Sequence, residues 1–170
     1  MTYASYEPER SGERRVDADI RAATASDVQA LARIAASRGG SLHSRAAGFA
    51  DALAEPGVIV LIALVEGTPA GWTGAREIDA EGDPGTWMTT GLTVVPEWRR
   101  RGIASQLLEA VAASVSSVGG ERLVSVANAR NRASLDLHLG SGFTEVARAA
   151  SFLAIEFDGG EGVIFERALD

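Results

Sequence analysis

The chain has 170 residues, 46% of them hydrophobic, which is enough to build the core of one domain. It contains no cysteine, and all sixteen basic residues are arginine. Disulfides, thiolate metal sites, a cysteine nucleophile and a Schiff-base lysine are therefore excluded. The net charge of −7 argues against a general nucleic-acid binder, which would have to neutralise phosphates.

The first seventeen residues are polar and offer almost nothing to bury. We therefore expect a disordered tail at 1–17, followed by a single domain at 18–170. The tail lacks the apolar core of a signal peptide, and no apolar run approaches the length of a membrane span. These features predict a cytoplasmic protein without a membrane partner.

The rest of the chain alternates strand-like and helix-like patterns, which predicts an α/β sandwich around one mixed sheet. Thr24 begins a capped helix that stops at Arg38-Gly39-Gly40, and a turn is expected at 67–71. The predicted strands cover residues 19–23, 58–66, 72–78, 86–95, 122–127, 143–150 and 163–169. Further helices are predicted at 41–55, 102–117 and 131–139, with a polar loop at 79–85.

One segment joins a strand to a helix through an arginine-rich turn, Arg99-Arg100-Arg101-Gly102-Ile103-Ala104. Pro96 ends the strand because proline has no N–H for a sheet. Apolar residues then recur every three or four positions from Ile103 onward, so a helix begins at the turn. Helix N–H groups, the positive end of the helix dipole and the guanidinium groups converge there. The turn is therefore predicted to bind a pyrophosphate.

A second segment follows the strand at 122–127 and carries Asn131, Ser134, His138 and the pair Gly142-Phe143. The two segments together resemble the signature motifs of the GNAT-type N-acetyltransferases. Ala104 stands where that family usually has a second glycine. The resemblance covers roughly residues 20–169 and is strongest over 92–143. It implies the GNAT fold, an α/β structure with a central mixed, mostly antiparallel sheet of about seven strands flanked by about four helices.

The resemblance also implies acetyl-CoA as co-substrate and no metal. In this family the strand before the turn parts from its neighbour, and its backbone pairs with the pantetheine arm. For the side chains of Leu92 and Val94, plain core packing is an equal alternative. Arg99 and Arg101 are expected to reach the phosphates, whereas Arg100 is as well explained by solvation. The predicted cofactor-binding residues are Leu92, Thr93, Val94, Arg99, Arg100, Arg101, Gly102, Ile103, Ala104, Ser105, Asn131 and Ser134.

His138 occupies the position from which, by the resemblance, the departing thiolate is protonated. An unperturbed imidazole is about one-quarter protonated at pH 7, and the neutral ring can still donate one hydrogen bond. The general base stays open, because residues 87–91 offer hydroxyls where relatives often have a carboxylate. The alternatives are a water held by Thr89 or Thr90, the carboxylate of Glu77, or that of Asp79.

The sequence thus predicts direct transfer of an acetyl group from acetyl-CoA to a primary amine. The acceptor is a small amine, an amino-acid derivative, an antibiotic or a peptide N-terminus, and the sequence does not choose among them. Transfer of a longer acyl group and a catalytically idle CoA-binding module are the alternatives. Trp72 and Trp87 either line the acceptor pocket or belong to the core. The final strands and the loop at 158–162 leave an edge that relatives often use to form a homodimer.

Overall fold

The computed structural model describes residues 14–78, 85–153, 155–157 and 159–170. Short 3-10 turns lie at Ala25–Asp27 and Pro96–Trp98. In chain order the elements are β1 (Asp19–Ala22), α1 (Val28–Ala36), α2 (Leu42–Ala54), β2 (Val58–Val65), β3 (Thr68–Glu77), β4 (Thr86–Val94), α3 (Ile103–Ser117), β5 (Arg122–Asn128), α4 (Arg132–Gly140), β6 (Thr144–Ala149), β7 (Ser151–Phe152), β8 (Ile155–Glu156) and β9 (Gly162–Ala168).

Seven strands form one mixed sheet in the order β1-β2-β3-β4-β5-β9-β6. Neighbouring strands are antiparallel except β4 and β5, which run parallel. Because side chains alternate along a strand, Val60 and Ile62 of β2 pack against α1 and α2, while Leu61 packs on the α3 face. Both faces of the sheet are thus covered by helices, and the predicted fold class is confirmed.

The hairpin between β2 and β3 turns more tightly than the sequence predicts. Glu66 and Gly67 have φ values of 50° and 76°, the positive pair that a two-residue type I′ turn requires. β3 already begins at Thr68, so the predicted turn at 67–71 is wrong. Pro69 lies inside the strand opposite Leu64, where a register shift makes its missing N–H tolerable.

A second hairpin, formed by β7 and β8, was not predicted. Each of its strands is two residues long. Two residues are too few to show the alternation of apolar and polar side chains that indicates a strand. The sequence therefore carries no local signal for this element.

β4 and β5 pair at one end only. Their register covers residues 86–88 of β4 and 122–124 of β5, although both strands continue further. Just beyond, a bulge in β4 places Thr90 between two residues that pair with consecutive positions of β3. A gap, which we call the wedge, therefore opens between the second halves of β4 and β5. The wedge begins at Thr89 and leads towards the N-terminus of α3.

The chain is attached to α3 from Val16 onward. The Val16 N–H donates to the carbonyl of Arg101 at 3.1 Å. The Gln106 amide donates to the Val16 carbonyl at 2.7 Å and accepts from the Ala18 N–H at 3.0 Å. Most of the predicted tail, residues 1–13, lies outside the described residues. The segment that follows it crosses the start of α3.

Candidate active site

The arginine-rich turn forms the N-terminus of α3. Arg100 and Gly102 have left-handed φ values of 63° and 82°, and Gly102 is the N-cap of the helix. Among the described residues, no side chain caps this helix end. The N–H donors and the positive end of the helix dipole are thus available to an anion.

Four arginines surround this turn. Arg99 donates from Nε to the Val94 carbonyl at 3.0 Å, which fixes the base of its side chain beside β4. The Arg101 guanidinium lies over the ring of Trp98, with its Cζ atom 5.0 Å from the ring centroid. Arg100 is exposed. Arg15, which the sequence did not single out, lies so close that a Cβ atom built on Gly102 would come within 3.2 Å of its Cγ.

The backbone of β4 presents Leu92 and Val94 to the wedge. The Gly91 carbonyl accepts from the Thr73 hydroxyl at 2.7 Å, and the Val95 N–H donates to the Ala70 carbonyl at 2.9 Å, so both face β3. Peptide groups alternate along a strand, so those of Leu92 and Val94 face the opposite edge, while that of Thr93 faces β3. Two of the three predicted strand residues therefore offer their peptide groups to a ligand in the wedge.

The carbonyl oxygens of Leu92 and Val94 have arginine partners. Arg38, at the end of α1, donates from Nη1 to Leu92 at 3.1 Å, and Arg99 binds Val94. The side chains of Leu92, Val94 and Ile103 pack in the core under α3. Core packing thus accounts for these side chains, and their backbones alone remain for ligand binding.

Asn131 and Ser134 organise the start of α4. The Oδ1 atom of Asn131 accepts from the Ser134 N–H at 3.2 Å, which makes Asn131 the N-cap of the helix. The Ser134 carbonyl lies 2.6 Å from Nδ1 of His138 one turn later. The capped first turn therefore sets the orientation of the imidazole.

His138 is buried, with 4% of its surface exposed, and both ring nitrogens are engaged. Nε2 lies 2.7 Å from Oγ of Ser125, and the ring stacks on Phe165. A carbonyl oxygen only accepts, so the neutral ring carries its proton on Nδ1 and accepts the Ser125 hydroxyl at Nε2. Burial lowers the pKa of His138. An imidazolium is therefore scarcer at pH 7 than an unperturbed pKa implies.

Ser125 connects His138 to the wedge. Its Oγ atom lies 2.8 Å from Oγ1 of Thr89, the first residue of β4 beyond the pairing with β5. Ser125 is not among the site residues predicted from the sequence. The signal it offers is a lone hydroxyl inside the otherwise apolar strand segment 123–127.

The other candidates for the general base lie elsewhere. Thr90, the bulge residue, lines a cleft on the α2 face of the sheet. The carboxylate of Glu77 lies beside Gly57, 3.5 Å from a Cβ atom built there. Asp79 lies outside the described residues. Of these alternatives, the described geometry connects Thr89 to His138.

The cleft on the α2 face has a volume of about 430 Å³ and lies between α2 and strands β2 to β4. Trp72 forms one wall and meets Phe49 edge to face, with 4.7 Å between ring centroids. Charges of both signs line it, including Arg45 and Asp51. Trp87 is instead buried in the core. Of the two tryptophans considered for the acceptor pocket, Trp72 thus forms the wall of a cleft and Trp87 belongs to the core.

Within the described residues, no group of three or more His, Cys, Asp or Glu side chains could hold a metal ion. None of the helices in that part of the chain is long and apolar enough to cross a membrane.

Comparison with known proteins agrees with this geometry. A model of the acetyltransferase (GNAT) family matches residues 28–143. No curated protein matches the sequence significantly. An N-acetyltransferase from Staphylococcus aureus Mu50 has a similar structure, with a TM-score of 0.74, 21% identity and coverage of 91% of this chain and 99% of that one.

Two other solved structures are similar at the same level. A phosphinothricin acetyltransferase from Sinorhizobium meliloti in complex with AcCoA has a TM-score of 0.72, 20% identity and coverage of 89% of this chain and 88% of that one. A ribosomal-protein-alanine N-acetyltransferase from Brucella melitensis has a TM-score of 0.73, 23% identity and coverage of 88% and 99%. At these identities the similarity concerns the fold. Since the family model spans both the arginine-rich turn and α4, the chain belongs to the GNAT acetyltransferase family.

Proposed function

We propose that this protein transfers the acetyl group of acetyl-CoA directly to a primary amine. The observation that carries the proposal is the wedge between β4 and β5, which leads to the arginine-lined N-terminus of α3. The edge of β4 that faces the wedge suits pairing with a pantetheine arm, and the turn offers donors to a pyrophosphate. The sequence has no cysteine to carry an acetyl group, which supports direct transfer.

Each part of acetyl-CoA can be assigned to residues that would hold it. The backbones of Leu92 and Val94 would pair with the pantetheine arm in place of the two guanidinium groups now bound there. The N–H groups of residues 102–105 would hold the pyrophosphate, with Arg99 and Arg101 closing over it. Ile103 would contribute its backbone only, because its side chain is 1% exposed. Acetyl-CoA supplies the activated acetyl thioester.

The acceptor amine would enter from the cleft on the α2 face. Its aromatic wall at Trp72 and Phe49 suits an apolar group, and Arg45 and Asp51 suit a substrate that carries charges of its own. Small amines, amino-acid derivatives, antibiotics and peptide N-termini all meet this description. A longer acyl chain and an idle CoA-binding module remain the alternatives.

Calorimetry and turnover together test the proposal. Acetyl-CoA should bind, and at about one hundred times its Kd it should stabilise the fold by about 2.7 kcal/mol. Thiol release should then be measured with polyamines, amino acids, phosphinothricin, aminoglycosides and a peptide that begins with alanine. Absence of binding at millimolar acetyl-CoA would overturn the proposal. Binding without turnover would favour the idle module, and faster turnover of octanoyl-CoA would favour a longer acyl group.

We also propose a homodimer formed through β6. This strand lies at one edge of the sheet, and its Val146 side chain is 48% exposed. An exposed edge strand is a ready surface for pairing with another chain. Light scattering should give twice the chain mass at micromolar concentration, and a monomeric mass would exclude this pairing.

We place the protein in the cytoplasm, with small amines or peptides rather than nucleic acids as partners. The net charge of −7 supports the absence of nucleic-acid binding. Cell fractionation tests the location, and retention on a DNA or RNA column at physiological salt would contradict the assignment of partners.

A further inference from the structure

We propose that Thr89, Ser125 and His138 form a proton relay that takes the proton from the acceptor amine and returns it to the departing sulfur. The proposal rests on the acetyl transfer proposed above and deepens it by naming the groups that take the place of a carboxylate on β4. Thr89 would be the catalytic residue, because it alone of the three reaches the wedge. Ser125 and His138 would act through it.

The hydrogen bonds of the relay all donate in the same direction, from Thr89 to Ser125 and from Ser125 to His138. The Ser134 carbonyl fixes the proton of His138 on Nδ1, so Nε2 accepts the Ser125 hydroxyl at 2.7 Å. The Ser125 oxygen then accepts the Thr89 hydroxyl at 2.8 Å. This leaves the lone pairs of the Thr89 oxygen for a donor in the wedge. A proton given to Thr89 can therefore move towards His138 by successive transfers along the existing hydrogen bonds.

The position of the three groups suits this role. Thr89 is half-buried at the start of the wedge, whereas Ser125 is 3% exposed and His138 is 4% exposed. Phe143 and Phe165 pack against the imidazole and separate it from solvent. Three apolar side chains would fill the same space without any desolvation cost. A polar chain that connects a buried imidazole with the wedge is therefore consistent with proton transfer.

The step balances without any further reactant. The N–C bond forms and the C–S bond breaks while the amine proton passes to Thr89, the Thr89 proton to Ser125 and the Ser125 proton to Nε2 of His138. The imidazolium then returns one proton along the same path to the thiolate. The net result is one proton moved from nitrogen to sulfur. Because burial lowers the pKa of His138, the ring rests in the neutral form, which has a free lone pair for a proton, and the imidazolium gives its proton up readily.

Ion pairs hold several of the charged groups on the elements around His138. On α4 itself, Arg132 lies 3.4 Å from Asp136, and both side chains are exposed. From β9 and α3, Arg167 and Glu109 form an ion pair at 2.7 Å. β5 presents Ser125 to the ring, and the causes of the lowered pKa are burial, opposed by the hydrogen bond to the Ser134 backbone. The protonation of the relay should thus follow that of His138.

Thiol release by four variants tests the relay, with the best acceptor of the amine panel or, where no amine is accepted, with water. Ser125→Ala and Thr89→Val should each lower kcat about ten- to a hundredfold and leave the KM for acetyl-CoA within about twofold. Thr89→Ser keeps the hydroxyl and should retain most of the rate. Thr86→Val is the matched control, because it removes a buried hydroxyl of β4 that has no partner among the described residues.

The pH profile separates proton transfer from a purely structural effect. The wild-type kcat should be constant at neutral pH and fall as the pH drops through the lowered pKa of His138, because the protonated ring cannot accept. Ser125→Ala should lose that inflection. A Ser125→Ala enzyme with the wild-type kcat and pH profile would overturn the relay while leaving the proposed function intact. Absence of acetyl-CoA binding or of all thiol release in the wild type would instead overturn the proposed function.

Nitrogen-15 NMR of labelled histidine examines the relay without any acceptor. The chain has two histidines, so the variant His43→Gln assigns both sets of signals. The His138 ring should carry its proton on Nδ1 and titrate below the usual pKa, and Ser125→Ala should shift the Nε2 resonance. A ring that carries its proton on Nε2 would overturn the relay.

Discussion

The two helices beside the wedge begin in opposite ways. α3 begins at Gly102, in a left-handed conformation and without a side-chain cap among the described residues. α4 begins at Asn131, whose side chain accepts the Ser134 N–H. The N-terminus of α2 follows the second pattern, because the Ser41 side chain accepts from the Ser44 N–H.

This difference separates a helix end that serves the fold from one that is suited to a ligand. A capped end satisfies its own donors, and the cap of α4 leads directly to the position of His138. An uncapped end leaves donors that must find partners outside the helix. Four arginines around such an end make an anion the fitting partner.

The largest expected effect comes from adding a single methyl group at the uncapped end. Gly102→Ala should weaken acetyl-CoA binding about tenfold or more, because the new Cβ lies on the turn proposed to receive the pyrophosphate. Gly119→Ala, at the other end of α3, is the control for the backbone conformation, with φ of 85° against 82°; its new Cβ has nothing within 4 Å, whereas that of Gly102 would lie 3.2 Å from Cγ of the flexible Arg15 side chain. Both variants carry a left-handed alanine, which costs about 1 kcal/mol.

Calorimetry should therefore show lost affinity in Gly102→Ala only, while thermal unfolding shows a similar loss of stability in both variants. Equal affinities in the two would mean that the pyrophosphate binds elsewhere. The two ends of α3 would then differ for a reason other than ligand binding.

An intermediate effect is expected from the arginine that bridges β4 and the turn. Arg99→Gln should lower the affinity for acetyl-CoA about three- to tenfold and make binding less sensitive to salt. S-acetylpantetheine lacks the pyrophosphate and has to displace Arg99 from the Val94 carbonyl, so Arg99→Gln should not lower its affinity. Arg132→Gln, at an exposed position of α4, is the control and should bind both ligands like the wild type. Equal losses for both ligands would show that Arg99 acts through the Val94 carbonyl instead.

The smallest effect concerns the capped helix. Asn131→Ala should lower the free energy of unfolding by about 1 kcal/mol in chemical denaturation, and Asn131→Ser should recover most of it. Ser41→Ala should lower the free energy of unfolding by a similar amount, because it removes the side-chain cap of α2. Unchanged stability in Asn131→Ala would contradict the capping role. If Asn131→Ser keeps its stability but binds acetyl-CoA more weakly, the amide contacts the ligand as well as capping α4.

The arginine-rich turn and the α4 motif could be predicted because their residues act where they stand in the chain. Gly102 needs a left-handed conformation, and Asn131 caps the helix that follows it. Pro69 shows the limit of such local reasoning. Proline is typical of turns, yet the register shift beside it allows it to lie within a strand.

The remainder of the site depends on contacts between distant residues. Ser125 meets Thr89, 36 residues away, and Arg38 meets Leu92, 54 residues away. Arg15 reaches the start of α3 because Gln106 binds the backbone on either side of residue 17. No local sequence pattern predicts any of these contacts.

By itself, the sequence determined the order of the elements apart from the β7–β8 hairpin, the glycine-containing turn and the position of His138, because local propensity and spacing encode each of them. The tertiary structure alone decided that β4 and β5 part after Met88 and that a buried His138 is linked through Ser125 to Thr89. The physical reason is that strand pairing and burial depend on the whole sheet and its helices. Strand pairing and burial together determine which hydroxyl groups lie in contact and which protonation state the imidazole adopts.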